Sequence, residues 1–180
     1  MSSRSRSLLV VVVLLAACGS GSQLVSTTPP STSPATTTQA PSQTVEVFFG
    51  IDGSADCSAV QSFQRPVSPN EDPIKVAFEA LLAGPLESET HATSWFSDAT
   101  AGSVRSTALS KGVLTVDLDD LSAIIPNASS SCGSAAFLSQ LRATAFQFDE
   151  VAAVTFLFEG SCERLFQFLQ MECTPATRSG

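Results

Sequence analysis

Cys132 stands ahead of a helical pattern in Ser130-Ser131-Cys132-Gly133-Ser134, where a thiol at a helix N-terminus could be held as a reactive thiolate. Such a nucleophile needs a base, and the chain offers one histidine, His91. The competing use of Cys132 is half of a disulfide, with Ser134 as a helix cap. Spending Cys132 as a nucleophile would leave an odd cysteine in an oxidising compartment, so the disulfide is the stronger reading. Asp117, Asp119 and Asp120 invite a calcium or paired-carboxylate role. In Val116-Asp117-Leu118-Asp119-Asp120-Leu121, however, the acids alternate with apolar residues, as on the wet face of a strand. The Asp-x-Asp-x-Asp-Gly frame with a distal Glu is missing. Nucleophile elbow, Ser-x-x-Lys pair, P-loop and dinucleotide turn are all lacking. Trp95-Phe96 is the one aromatic pair out of periodic register, set in a long polar loop. Either it plugs the core or it is an exposed recognition element, and it is the candidate binding pair.

The N-terminus carries its own chemistry. Arg4 and Arg6 precede an unbroken apolar run from Leu8 to Ala17, as in an export signal. At about ten residues the run is half of the roughly twenty that a membrane-spanning helix needs. Leu15-Ala16-Ala17-Cys18 resembles the lipobox of a bacterial lipoprotein. That resemblance implies cleavage before Cys18, a diacylglycerol on its sulfur and a membrane partner reached through the lipid. At roughly 0.8 kcal/mol per buried methylene, two or more chains anchor stably where one does not. The expected location is the outer face of the cell membrane.

With Cys18 given to lipid, Cys57, Cys132, Cys162 and Cys173 remain. Four thiols in an exported chain suggest two disulfides, with three possible connectivities. Zinc is disfavoured because no C-x-x-C or C-x-x-H spacing occurs and His91 lies far from every cysteine in sequence. No metal and no cofactor is expected.

Removal of residues 1–17 leaves seven basic against seventeen acidic residues, a formal charge of −10. Such an exterior argues against nucleic acid, which is held through Lys and Arg contacts to phosphates. It argues equally against electrostatic binding to anionic headgroups. With no Tyr, one Trp and twelve Phe, the core must be built of Phe and aliphatics.

Four segments follow from composition. Residues 1–17 are the signal, and 18–43 are a lipidated Ser/Thr/Pro-rich tether too polar to offset its ordering entropy. Residues 44–173 form one globular domain, and 174–180 a flexible C-terminus. Within the domain, Val45–Phe49 reads as a strand stopped by Gly50 and Asp52-Gly53, and Val60–Val67 contains a second. Asp72 caps a helix with Pro73 at its first position, and Ile74, Ala77, Phe78, Leu81 and Leu82 form its stripe up to Gly84-Pro85. Val104–Leu109 and Val113–Leu118 make a hairpin around Ser110-Lys111-Gly112. Ser134–Phe148 is the second helix, with Gln140, Arg142 and Gln147 off its apolar face. Val154–Phe158 is a strand apolar enough to be central. Glu163–Met171 is a last strand or a short closing helix, and Leu165, Phe166, Phe168 and Leu169 suit helical spacing better. The expected fold is α+β, a small mixed sheet with two amphipathic helices packed on it, in the order ββαββαβ plus a C-terminal tail element.

These stretches resemble the GerMN domain family of sporulation and spore germination, in its single-domain actinobacterial lipoprotein form. The resemblance rests on Val45–Phe49, Arg65-Pro66-Val67, Ala80-Leu81-Leu82-Ala83-Gly84-Pro85, Ser94-Trp95-Phe96-Ser97, Gly112–Leu118 and Ile125–Ser134. It covers about residues 45–170. It implies a small envelope domain with no catalytic residues to carry over, engaged in assembling complexes or contacting the wall. Cys162 and Cys173 fall outside the family pattern and suggest an added C-terminal staple, so the expected pairs are Cys57–Cys132 and Cys162–Cys173. The functional expectation is a non-enzymatic, membrane-anchored binding or scaffolding lipoprotein whose partner is an envelope protein or peptidoglycan. The alternative is a cell-wall hydrolase or a carbohydrate-binding accessory to one.

Overall fold

The computed structural model describes residues 43–178. The signal, Cys18 and all of the tether but Gln43 lie outside the described residues. The domain is α+β with the expected order of strands and helices; its strands divide into two sheets instead of one, and the short closing helix forms beside the two longer ones.

Strands β1 (Gln43–Ile51) and β2 (Val60–Val67) pair antiparallel along their whole length. Helix α1 (Pro73–Ala83) follows, its Ile74 N–H donating to the Asp72 carboxylate at 2.9 Å and its five stripe residues buried. The long polar connection holds one short strand that the sequence does not announce, β3 (Ala92–Thr93). It adds to β1 at Gly50 and Ile51, giving the order β2-β1-β3. The second sheet opens with the hairpin of β4 (Val104–Ser110) and β5 (Val113–Leu118). Leu114, Val116 and Leu118 point inward and are fully buried, as their alternation requires.

Helix α2 (Ser131–Phe146) crosses over to β6 (Ala153–Phe158), which runs parallel to β5. It starts three residues earlier than the apolar pattern alone implies, because the Ser130 hydroxyl accepts from the Gly133 N–H at 3.0 Å and caps it. Ser134 is therefore not the cap: its hydroxyl is buried 2.9 Å from the carbonyls of both Ala128 and Leu169, which share its one proton. Helix α3 (Cys162–Phe168) is short and packs on β6.

The last segment corrects the expectation of a flexible C-terminus from residue 174. Strand β7 (Ala176–Thr177) adds antiparallel to β6 at Ala153 and Val154, and Ala176 is buried. Arg178 fixes it, donating to the carbonyls of Phe146, Phe148 and Val151 at 2.6–3.2 Å. Small side chains and a lone arginine read as tail in sequence because their partners are distant backbone carbonyls.

One core cluster joins both sheets to α1, α2 and α3. Phe96, Phe137, Phe168 and Phe158 form a continuous series of ring contacts with centroids 5.1–6.0 Å apart. Each ring belongs to a different element, so the series ties loop, α2, α3 and β6 together.

Candidate functional site

Cys57 is bonded to Cys132, and Cys162 to Cys173. Cys132 therefore holds no thiolate, and His91 sits exposed on the turn before β3, where its carbonyl accepts from the Gln61 side chain at 2.9 Å. All three aspartates are already engaged. Arg105 reaches Asp117 at 3.3 Å and Asp119 at 3.0 Å, and Asp117 also accepts the Gly160 N–H at 2.8 Å. Asp120 accepts the Ser122 N–H, and hydrogen bonding from Ser122 holds its pKa below the usual carboxylate range. Among the described residues no three His, Cys, Asp or Glu side chains converge as metal ligands.

Among the described residues, two grooves flank the Cys57–Cys132 link. The larger, of about 760 Å³, runs along one face of α2 and is closed by the turn after α3 and the end of the β1–β2 loop. Ser131, Ala135, Leu138, Ser139 and Arg142 line it at helical spacing, with Leu169 and Met171 opposite. Its position follows from the crosslink and from Ser134. The disulfide fixes the β1–β2 loop to the first turn of α2, and the Ser134 hydroxyl holds the Leu169 carbonyl against the same turn. The loop is stiffened by Asp56, whose carboxylate accepts the Ser58 hydroxyl at 2.7 Å and the Ser58 N–H at 2.9 Å. Those bonds hold the Asp56 pKa below its usual range.

Arg142 is the distinctive residue of this groove. It is the only charged residue in α2, and no acidic residue lines the cavity. Its Nε is shut off from solvent and has no hydrogen-bond partner. Leaving such a donor unpaired costs about 1–3 kcal/mol. The other arginines among the described residues are satisfied: Arg65 by Glu89, Arg105 by Asp117 and Asp119, Arg164 by Glu159, and Arg178 by carbonyls. In the sequence Arg142 is an off-face residue of the second helix. A usable signal was present, since positions three and four residues away on either side are Leu138, Ser139, Ala145 and Phe146, and none can pair with it on the helix.

The smaller groove, of about 360 Å³, lies on the other side of the crosslink and is lined by Trp95, Thr93 and Gln140 among others. Trp95 is half-buried and packs on the core with one side while lining this groove with the other. Phe96 is 1% exposed and packs at a tilt against Phe137, which removes it from any recognition surface and makes it the core plug. Ser94 orients the pair, donating to Gln140 Oε1 at 2.7 Å while its oxygen accepts the Phe96 N–H at 3.0 Å.

An α+β module with two grooves beside a disulfide, and no free thiol among the described residues, is the class that fold and site define. Residues 46–162 match the Germane family, described as sporulation and spore germination, and the chain belongs to that family. Its fold is similar to the tandem GerMN domains of the sporulation protein GerM from Bacillus subtilis. The TM-score there is 0.50 at 18% identity, covering 68% of this chain and 40% of that one. The chain thus spans less than half of that structure. No curated protein matches the sequence.

Proposed function

We propose that this protein is a membrane-anchored envelope lipoprotein whose GerMN-like domain binds a partner and catalyses nothing. In this reading Cys18 carries the lipid at the outer face of the cell membrane, residues 18–43 lift the domain off the bilayer, and the domain engages an envelope protein or peptidoglycan. The process served is envelope assembly, wall remodelling or sporulation-like development, in line with the family's description. The observation that carries the binding role is the larger groove, an amphipathic cleft with one unpaired cation and no acid or base beside it. A hydrolase would need convergent carboxylates or a nucleophile with its base. The two disulfides favour an oxidising compartment, and the lipobox-like Leu15–Cys18 favours anchoring.

The test uses the full-length protein. Cys18→Ala should lose acylation and leave the detergent phase, and equal partitioning of variant and parent would refute the anchor. Full-length protein in detergent should be retained by isolated wall or by specific envelope proteins. Release of sugar or peptide from wall by the purified protein would overturn the non-catalytic reading.

A further inference from the structure

We infer that the larger groove is a carboxylate site that takes the free C-terminal end of a short peptide with small side chains, gripped by Arg142. The inference deepens the binding role proposed above and rests on it. Charge comes first. The described residues carry an excess of acid, and yet this cleft has no acidic lining residue and a single guanidinium. An arginine fork pairs with a planar carboxylate through two parallel hydrogen bonds, geometry that a point-like ammonium cannot match.

The cost of keeping Arg142 is the second argument. A donor with no partner in a half-buried side chain lowers the stability of the free domain, and a leucine or methionine there would avoid the loss. A residue that weakens the fold at a cleft is better explained by something it binds than by packing.

The lining defines the rest of the ligand. Leu138, Leu169 and the exposed Met171 give a shallow apolar strip suited to methyl-sized side chains. Ser131 lies on the rim with an exposed hydroxyl available to a peptide amide. At about 760 Å³ the groove falls within the range of small-ligand sites. Alanine-ended peptides carry the required chemistry whether they come from a protein C-terminus or from a wall stem peptide.

The experiment titrates full-length protein in detergent with N-acetyl-Ala-Ala as free acid and as amide, in L and D forms, followed by NMR or calorimetry. The acid is expected to bind at least about tenfold more tightly than its amide. Preference for the D form identifies a wall peptide as the source, and preference for the L form a protein terminus. Arg142→Gln should abolish the acid preference, and Arg142→Lys should restore only part of it. Arg142→Met should lose binding while its melting temperature stays level or rises by a few degrees. Met171→Glu places a negative charge at the rim without touching a buried atom and should also abolish binding, which covers the case of a poorly folding Arg142 variant. Equal affinity for acid and amide, or an acid preference that survives Arg142→Gln, overturns the proposal. So does inorganic phosphate binding more tightly than the peptide acid. Retention by wall or envelope protein without any acid preference sinks the carboxylate site and leaves the broader binding role standing.

Discussion

The side chain of Gln147 substitutes for a β-strand at the backbone of Glu46. Its Nε2 donates to the Glu46 carbonyl at 2.6 Å and its Oε1 accepts the Glu46 N–H at 2.7 Å. Two residues along the same edge, the Phe48 N–H donates to Thr144 Oγ1 at 3.3 Å, and at Gly50 the edge passes to β3. The open side of β1 is thus closed by one turn of α2 and one short strand. An uncovered edge would be a template for pairing with other chains. Gln147→Ala should leave both Glu46 groups unpaired and destabilise the domain by about 1–3 kcal/mol. Chemical denaturation measures this, and light scattering should show a matching rise in aggregation. An unchanged midpoint would mean that water replaces the amide without loss.

Arg65 and Glu89 form a two-pronged pair at 2.7 and 2.8 Å, almost excluded from solvent, and Glu89 also accepts the Leu86 N–H at 2.8 Å. Burial by itself raises the Glu89 pKa, but the hydrogen bond from Arg65 and the one from Leu86 outweigh it and set the pKa below the usual range. A depressed folded-state pKa gives stability that is present above the ordinary glutamate value of about 4.3 and fades as pH falls through the lower folded value. Glu89→Gln should therefore flatten the acid limb of a stability-against-pH curve. Arg65→Ala should cost about 3–5 kcal/mol at neutral pH by stranding the carboxylate. An acid limb identical in parent and Glu89→Gln would refute the linkage.

Gly84 ends α1 at φ +83°, and a Cβ there would lie 2.6 Å from the Phe96 carbonyl oxygen and 2.9 Å from the Ser97 Cα. Both obstacles are backbone and cannot swing away. Gly84→Ala should cost about 3 kcal/mol or more through combined strain and overlap. Thermal melts of Gly84→Ala beside Gly102→Ala make the comparison. Gly102 has φ +79° but open space around its Cβ position, so it should lose less. Equal losses would place the whole effect in φ.

Phe96→Ala should destabilise by about 3–5 kcal/mol, as expected for a buried aromatic. Trp95→Ala should cost about 1–2 kcal/mol, because only part of that ring is in the core. Calorimetric melting of the two variants separates the roles of these adjacent aromatics. A larger drop for Trp95→Ala would make Trp95 the plug.

The elements whose signal is local were legible in the sequence. Asp72-Pro73 with its apolar stripe gave α1, and the alternation of Leu114, Val116 and Leu118 gave the buried face of β5. What escaped depends on distant partners. β3 is two residues long and exists because β1 offers it an edge, and β7 exists because β6 does and Arg178 locks it. Gln140 reads as off the apolar face, yet it is 1% exposed because its amide is bonded by Ser94 and the Ala136 carbonyl. The second sheet was missed for the same reason, since nothing in the strands themselves says that β1 pairs with β2 and β3 alone. The site was the least legible part. Cys132, the catalytic type that the sequence displays, is spent in a disulfide, whereas Arg142 stands out in the structure only by lacking a partner.

Were the domain held at its N-terminal end, as the proposed lipid anchor requires, the Cys57–Cys132 bond would have a mechanical meaning. A pull applied ahead of Gln43 enters through β1, and along the peptide backbone it would reach α2 only after crossing α1 and both strands of the second sheet's hairpin. The disulfide removes a sequence separation of 75 from that path and delivers the load directly to the first turn of α2, beside the larger groove. Tension between an anchor and a ligand held by Arg142 would then run along β1, one sulfur bridge and one helix. The covalent route through α1 and the β4–β5 hairpin is bypassed.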